Sequence, residues 1–95
     1  MTNTDNQTAG EETLIEFPAR FPIKITGKNT PEFQAEILDI VNRLIPEQDR
    51  LGMKEQASKN GNYLAISLTA MFYDKAAIDA VYQALSDSPH VIMAL

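Results

Sequence analysis

From residue 21 onward the chain alternates between two hydrophobic periods. Phe21, Ile23 and Ile25 are separated by Pro22, Lys24 and Thr26, the two-residue repeat of a half-buried strand, and Gly27 closes it. The period then lengthens. Thr30 followed by Pro31 marks a helix start, because the threonine oxygen can cap and a proline at the first position gives up no needed N–H. Phe33, Ile37, Ile40, Val41 and Leu44 follow at steps of three and four. They form one apolar stripe, widened by Leu38 and Ile45. Glu32, Glu36, Asp39 and Arg43 take the wetter side, and Pro46 stops the helix. Residues 46–52 read as a polar loop.

A hairpin follows. The Asn60-Gly61 pair predicts a two-residue type I′ turn with positive φ at both positions and Lys59 facing Asn62. That register sets Ala57 opposite Leu64, Glu55 opposite Ile66 and Met53 opposite Leu68. In the strand Tyr63–Phe72, Leu64, Ile66, Leu68, Ala70 and Phe72 then share the core face with Met53 and Ala57. Glu55 breaks the pattern. An inward-leaning charge is a common protection of a sheet edge, so Met53–Ser58 is expected at the edge. Asp74 caps a second helix with a stripe of Ala77, Ile78, Val81 and Leu85 and Tyr82 beside it. Ser86 to Pro89 end that helix, and Val91 to Leu95 form an apolar terminal strand.

The order β-α-β-β-α-β, with short connections and right-handed crossovers, predicts an α+β ferredoxin-like sandwich. It has a four-stranded antiparallel sheet, order 4-1-3-2, with both helices on one face. Residues 14–95 form this single domain. Residues 1–13 lack apolar periodicity and are expected to be a disordered acidic tail. Leu14, Ile15 and Phe17 are expected to fold back as a flap on the domain's own core rather than to serve as a partner-binding arm.

Charge and composition narrow the function. Residues 1–16 hold Asp5, Glu11, Glu12 and Glu16 and no Lys or Arg, so the net charge of −5 leaves residues 17–95 at −1. A nearly neutral body attracts phosphate backbones weakly, which argues against nucleic acid as a partner. There is no cysteine, hence no disulfide or thiolate metal site. No apolar run approaches the roughly 20 residues that span a bilayer. The first residues lack the basic start and apolar stretch of a signal peptide, so a cytoplasmic location without membrane attachment is expected.

No catalytic, metal or cofactor motif stands out. His90, the only histidine, completes no metal set by itself and reads as a surface residue. Ser58, Ser67 and Ser88 have no recognisable base beside them, and Glu47 and Asp49 are loop carboxylates too few to hold a cation. The best small-molecule candidate is Gly27-Lys28-Asn29-Thr30, a strand-to-helix turn whose helix N-terminus could hold a carboxylate or phosphate. It is no P-loop, since the second glycine and the Gly-Lys-Ser/Thr ending are missing. The candidate partner surface is the open sheet face, with Lys24, Lys54, Gln56, Tyr63 and Ser67. Tyr63 is its one aromatic, which is poor for stacking bases.

The run LIEFPARFPIKITG, the Gly-Asn-Tyr after the turn and the ending VIMAL resemble the YbeD-like family of small bacterial proteins over residues 14–95. The resemblance implies a ferredoxin-like plait similar to the regulatory ACT domains that sense amino acids, whose corresponding strand-to-helix loop lines the ligand site. It brings no catalytic residues. The expected function is a non-enzymatic regulatory or adaptor module that binds a small metabolite or a protein partner, with a homodimer as one arrangement. The dimer or partner contact would use the edge strand Met53–Ser58 or the sheet face. The alternatives are an accessory protein or enzyme of lipoate or acyl metabolism, with a pocket around His90 or Lys28, and a weak nucleic-acid binder.

Overall fold

The computed structural model describes residues 15–95; the acidic tail expected at 1–13 and Leu14 lie outside the described residues. Strand β1 (Ala19–Lys28) leads into helix α1 (Pro31–Leu44). A 3-10 turn (Glu47–Asp49), strands β2 (Arg50–Ala57) and β3 (Tyr63–Phe72), helix α2 (Lys75–Asp87) and strand β4 (Val91–Ala94) follow. The sheet order is β2-β3-β1-β4 with every pair antiparallel, which is the predicted ferredoxin-like arrangement.

The two hydrophobic periods meet in one core. Ile23 and Ile25 of β1 and Leu64, Ile66, Leu68, Ala70 and Phe72 of β3 are buried against Phe33, Ile37, Ile40 and Val41 of α1 and Ile78, Val81 and Leu85 of α2. Phe21 adds an edge-to-face contact with Phe72, ring centres 6.2 Å apart. Both caps form as the sequence requires: Phe33 N–H donates to Thr30 Oγ1 at 3.1 Å, and Ala77 N–H to Asp74 Oδ1 at 2.9 Å. Of the three residues expected in a flap, Phe17 packs against the core.

Three details depart from expectation. First, the second strand starts at Arg50 rather than Met53, and the expected loop contains the 3-10 turn. Backbone pairing to β3 recruits Arg50 and Gly52, with a bulge at Leu51 that the side-chain pattern does not reveal. Second, the hairpin turn is wider. Among the described residues no non-glycine has positive φ, and Gly61 alone does, at 78°. Asn60 is therefore outside a type I′ geometry. Gly61 N–H donates to Ser58 O at 2.9 Å, and Ser58 N–H to Tyr63 O at 2.8 Å, which closes a four-residue loop around a turn at Ser58. Lys59 does not pair with Asn62. Widening the loop symmetrically leaves the register intact, and Ala57–Leu64, Glu55–Ile66 and Met53–Leu68 pair as predicted.

Third, the sheet edges are barer than the pattern suggests. Met53 and Ala57 lie on the helix side but are exposed, and so is Leu38, because the helices cover β1 and β3 and leave the β2 edge open. Leu38, Leu51 and Met53 line a groove of about 210 Å³ there. Glu55 does lean to the helix side, where Gln34 Nε2 donates to its Oε1 at 3.1 Å. At the opposite edge, Ile92, Met93 and Leu95 of the apolar C-terminal segment are also largely exposed.

Candidate functional site

The predicted ligand loop sits at the end of β1, packed against two other loops. Gly27 is buried there because nothing larger fits: a Cβ would lie 2.6 Å from the His90 carbonyl oxygen and from the Phe33 ring. Asn29 ties the loop to the hairpin, with its N–H on Asn62 O at 3.0 Å and its Nδ2 on Gly61 O at 3.1 Å. Thr30 N–H donates to Lys28 O, and the helix start spends its Phe33 and Gln34 N–H groups on Thr30 oxygens. The backbone donors that suggested an anion cradle are thus largely committed to the fold. What the loop offers outward is side chains.

Those side chains face a cavity of about 310 Å³ lined by Lys28, Thr30, Glu32, Pro89, His90 and Ile92. The fold brings Lys28 and His90, sixty-two positions apart in the chain, onto one concave surface because β4 pairs with β1 (Gly27 opposite Val91). The turn that presents His90 is held by its own N–H on Ser88 Oγ at 3.1 Å. Of the predicted loop residues, Lys28 and Thr30 reach this cavity, whereas Gly27 and Asn29 shape the turn. Glu32, Pro89, His90 and Ile92 were not assigned to the loop site from sequence. The signal that joins them, β1 pairing with a distant β4, is topological.

The residues of the second candidate surface share one face of the sheet. Lys54, Ser67 and Lys24 stand in one row across β2, β3 and β1, and Gln56, Ala65 and Thr26 in the next. Lys24, Lys54, Gln56, Tyr63 and Ser67 are all exposed. A shallow depression of about 340 Å³ lies between Lys24, Gln56, Ser58, Lys59 and Tyr63. Leu95 extends the first row, since its N–H donates to Lys24 O at 2.9 Å and its O accepts from Lys24 N–H at 3.0 Å. Met93 extends the second, opposite Thr26.

Away from both surfaces, Asp49 is buried and accepts the Tyr73 hydroxyl at 2.9 Å. That hydrogen bond, with lesser contributions from desolvation and the carboxylate's charge, raises the Tyr73 pKa above the ordinary 10.0. Among the described residues no helix is long and apolar enough to cross a membrane.

Comparison with known proteins bears on the family and the fold. The family described as "Protein of unknown function (DUF493)" matches residues 12–95. A UPF0250 protein of Nitrosomonas europaea is 41% identical over 90% of this chain and 98% of its own length. One of Bordetella pertussis is 38% identical over 90% and 93%. The fold is shared at low identity. The solution structure of protein HP0495 from H. pylori superposes with a TM-score of 0.72 at 11% identity, over 100% of this chain and 98% of that one. The ACT domain from GTP pyrophosphokinase of Chlorobium tepidum gives 0.66 at 11% identity, over 81% and 97%. The chain belongs to the DUF493 family, as its resemblance to YbeD-like proteins implied.

Proposed function

For this member of the DUF493 family we propose a non-enzymatic regulatory module that binds a small zwitterionic metabolite in the cavity between the β1–α1 and α2–β4 loops. One observation carries the reading. Lys28, Glu32 and His90 line the same cavity, so a cation, a carboxylate and an imidazole are presented to one small volume. A ligand with an ammonium and a carboxylate, such as an amino acid, would find a partner for each end. An ACT domain shares the fold, and the role is argued from the cavity rather than from that likeness. Ile92 and Pro89 would pack an apolar side chain of the ligand.

The test is thermal unfolding with a panel of L-amino acids and small dicarboxylates. A ligand at a hundredfold excess over its Kd stabilises by about 2.7 kcal/mol. For a domain this small, that raises Tm by roughly 10 °C or more. The shift is expected to vanish in Lys28→Ala and to shrink in Glu32→Gln. A panel that leaves Tm unmoved removes the reading. The rival reading, an enzyme of acyl or lipoyl metabolism, draws on the same meeting of Lys28 and His90. It requires turnover that the double variant Lys28→Ala/His90→Ala abolishes.

A homodimer belongs to the same proposal, and β4 is the better-supported contact. The β2 edge is broken by a bulge and carries Lys54 and Glu55, both protections against pairing. The β4 edge exposes Ile92, Met93 and Leu95. Light scattering that finds a monomer at high concentration would remove the dimer while leaving the cavity untouched.

A further inference from the structure

The open sheet face has a charge pattern that the cavity reading does not use. Arg20 and Lys24 of β1 and Lys54 of β2 alternate onto that face, with Lys59 beside them in the hairpin loop. No Asp or Glu side chain occupies any strand position on it. Among the described carboxylates, Glu55 leans to the helix side of β2, Glu16, Glu47, Asp49 and Asp74 lie in connecting segments, and Glu32, Glu36 and Asp39 lie on α1 and Asp79 and Asp87 on α2. Arg43 and Lys75 are already paired there with Asp39 and Asp79, at 2.9 Å and 2.8 Å. Among the described residues Arg20, Lys24, Lys54 and Lys59 have no such partner. A net charge of −5 therefore conceals a cationic sheet face.

The shape of the face is as informative as its charge. Lys54 and Lys24 flank Ser67 in one row, two strand spacings or about 10 Å apart. Between the long side chains the floor is low, formed by Ala65, Ser67, Thr69 and Thr26. Along one margin Met93 and Leu95 stand exposed at 50% and 71%. A guest that lies here meets cations on both sides of a trough and thioether and aliphatic surface at its rim.

We propose that this face docks an acidic segment of a partner protein, one that interleaves carboxylates with apolar side chains. Charge complementarity selects the carboxylates, and Met93 and Leu95 select the apolar component. A nucleic acid fits less well. Its bases would have only Tyr63 to stack on, and the acidic helix layer opposes a long phosphate backbone.

The test uses the full chain and fluorescence anisotropy at low salt. The probes are a labelled peptide of repeated Glu-Glu-Leu, its Lys-Lys-Leu counterpart, and oligothymidylate of the same charge as the acidic peptide. The acidic peptide is expected to bind, to weaken as salt rises to about 0.15 M, and to bind more tightly than the oligothymidylate. Any binding of the Lys-Lys-Leu peptide, drawn by the acidic helix layer, should not weaken in Lys24→Glu/Lys54→Glu. Lys24→Glu/Lys54→Glu should weaken the acidic peptide by about tenfold or more, and Lys24→Gln/Lys54→Gln by less. Arg43→Ala, on the helix layer, should leave binding unchanged. All the substituted side chains are exposed, and circular dichroism checks that each variant is folded. No binding at low salt, oligothymidylate binding as tightly as the peptide, or a charge reversal without effect would each overturn the proposal.

Discussion

At the scale of single residues, Gly27 shows how a glycine at the end of a strand can be fixed by packing rather than by backbone conformation. Its place is set by the His90 carbonyl and the Phe33 ring, each 2.6 Å from where a Cβ would stand, and neither can retreat without moving β4 or the core. Gly27→Ala is expected to cost about 1–3 kcal/mol. Gly52→Ala, with open space around the added methyl, should change stability by less than about 0.5 kcal/mol. Urea unfolding of the two variants checks the contrast, and equal midpoints would show that the packing around Gly27 yields. Tyr73 supplies a pH-dependent case. The folded state holds its phenol proton more tightly than the unfolded chain does, through the bond to Asp49. The stabilisation is therefore complete below pH 10.0 and is lost as pH rises through the raised value. Burial acts on Tyr82 in the same direction. Tyr73→Phe should be less stable at pH 8, because buried Asp49 loses a donor, yet its stability should fall less steeply above pH 10.0. Parallel alkaline slopes in the two proteins would show that the Asp49 bond does not hold the proton.

At the scale of elements, local periodicity located what is buried and failed where backbone pairing or a single long side chain decides. The α1 stripe, the β3 alternation and both caps were legible because each follows from neighbours a few positions away. The hydrophobic pattern places Arg50 in a loop. It opens β2 instead and reaches back to the end of α1: its Nε donates to Ile45 O at 2.9 Å and its Nη1 to Asn42 Oδ1 at 3.1 Å. A guanidinium there satisfies a carbonyl the helix leaves free and complements its dipole. No hydrophobic pattern carries that information. Arg50→Ala should therefore destabilise by about 1–2 kcal/mol. Arg50→Lys should recover part of it, since an ammonium keeps the charge but not the fork. Thermal unfolding decides between them: a lysine variant as stable as the parent would mean that charge alone secures the junction. The site was half legible for the same reason. Lys28 and Thr30 sit in one turn and can be read together as candidates, whereas the sequence pattern puts Glu32 on a wet helix face and leaves His90 isolated.

At the scale of the whole molecule, the candidate cavity depends on the sheet's least-supported member. β1 and β3 run side by side for ten residues, are each flanked by a further strand, and bury the helix-facing side chains of the core. β4 is four residues long, pairs on one side only, and keeps Val91 and Ala94 half-buried. It also supplies Ile92 to the cavity wall and leads directly from Pro89 and His90. An element with few buried groups opens by itself more readily than the domain unfolds. Amide hydrogen exchange should thus separate the two. Ile25 and Ile66 should exchange only through global unfolding, and the β4 amides through a local opening of lower free energy. The two opening energies should differ by more than about 1.4 kcal/mol, a factor of ten in protection. If Met93 and Ile25 shared one opening energy and one urea dependence, β4 would be part of the rigid body and the cavity would be permanent. If they separate, the strand that forms the cavity wall can open while the core stays closed. A ligand bound against His90 and Ile92 would then slow exchange selectively in β4, which makes the strand itself the reporter for finding that ligand.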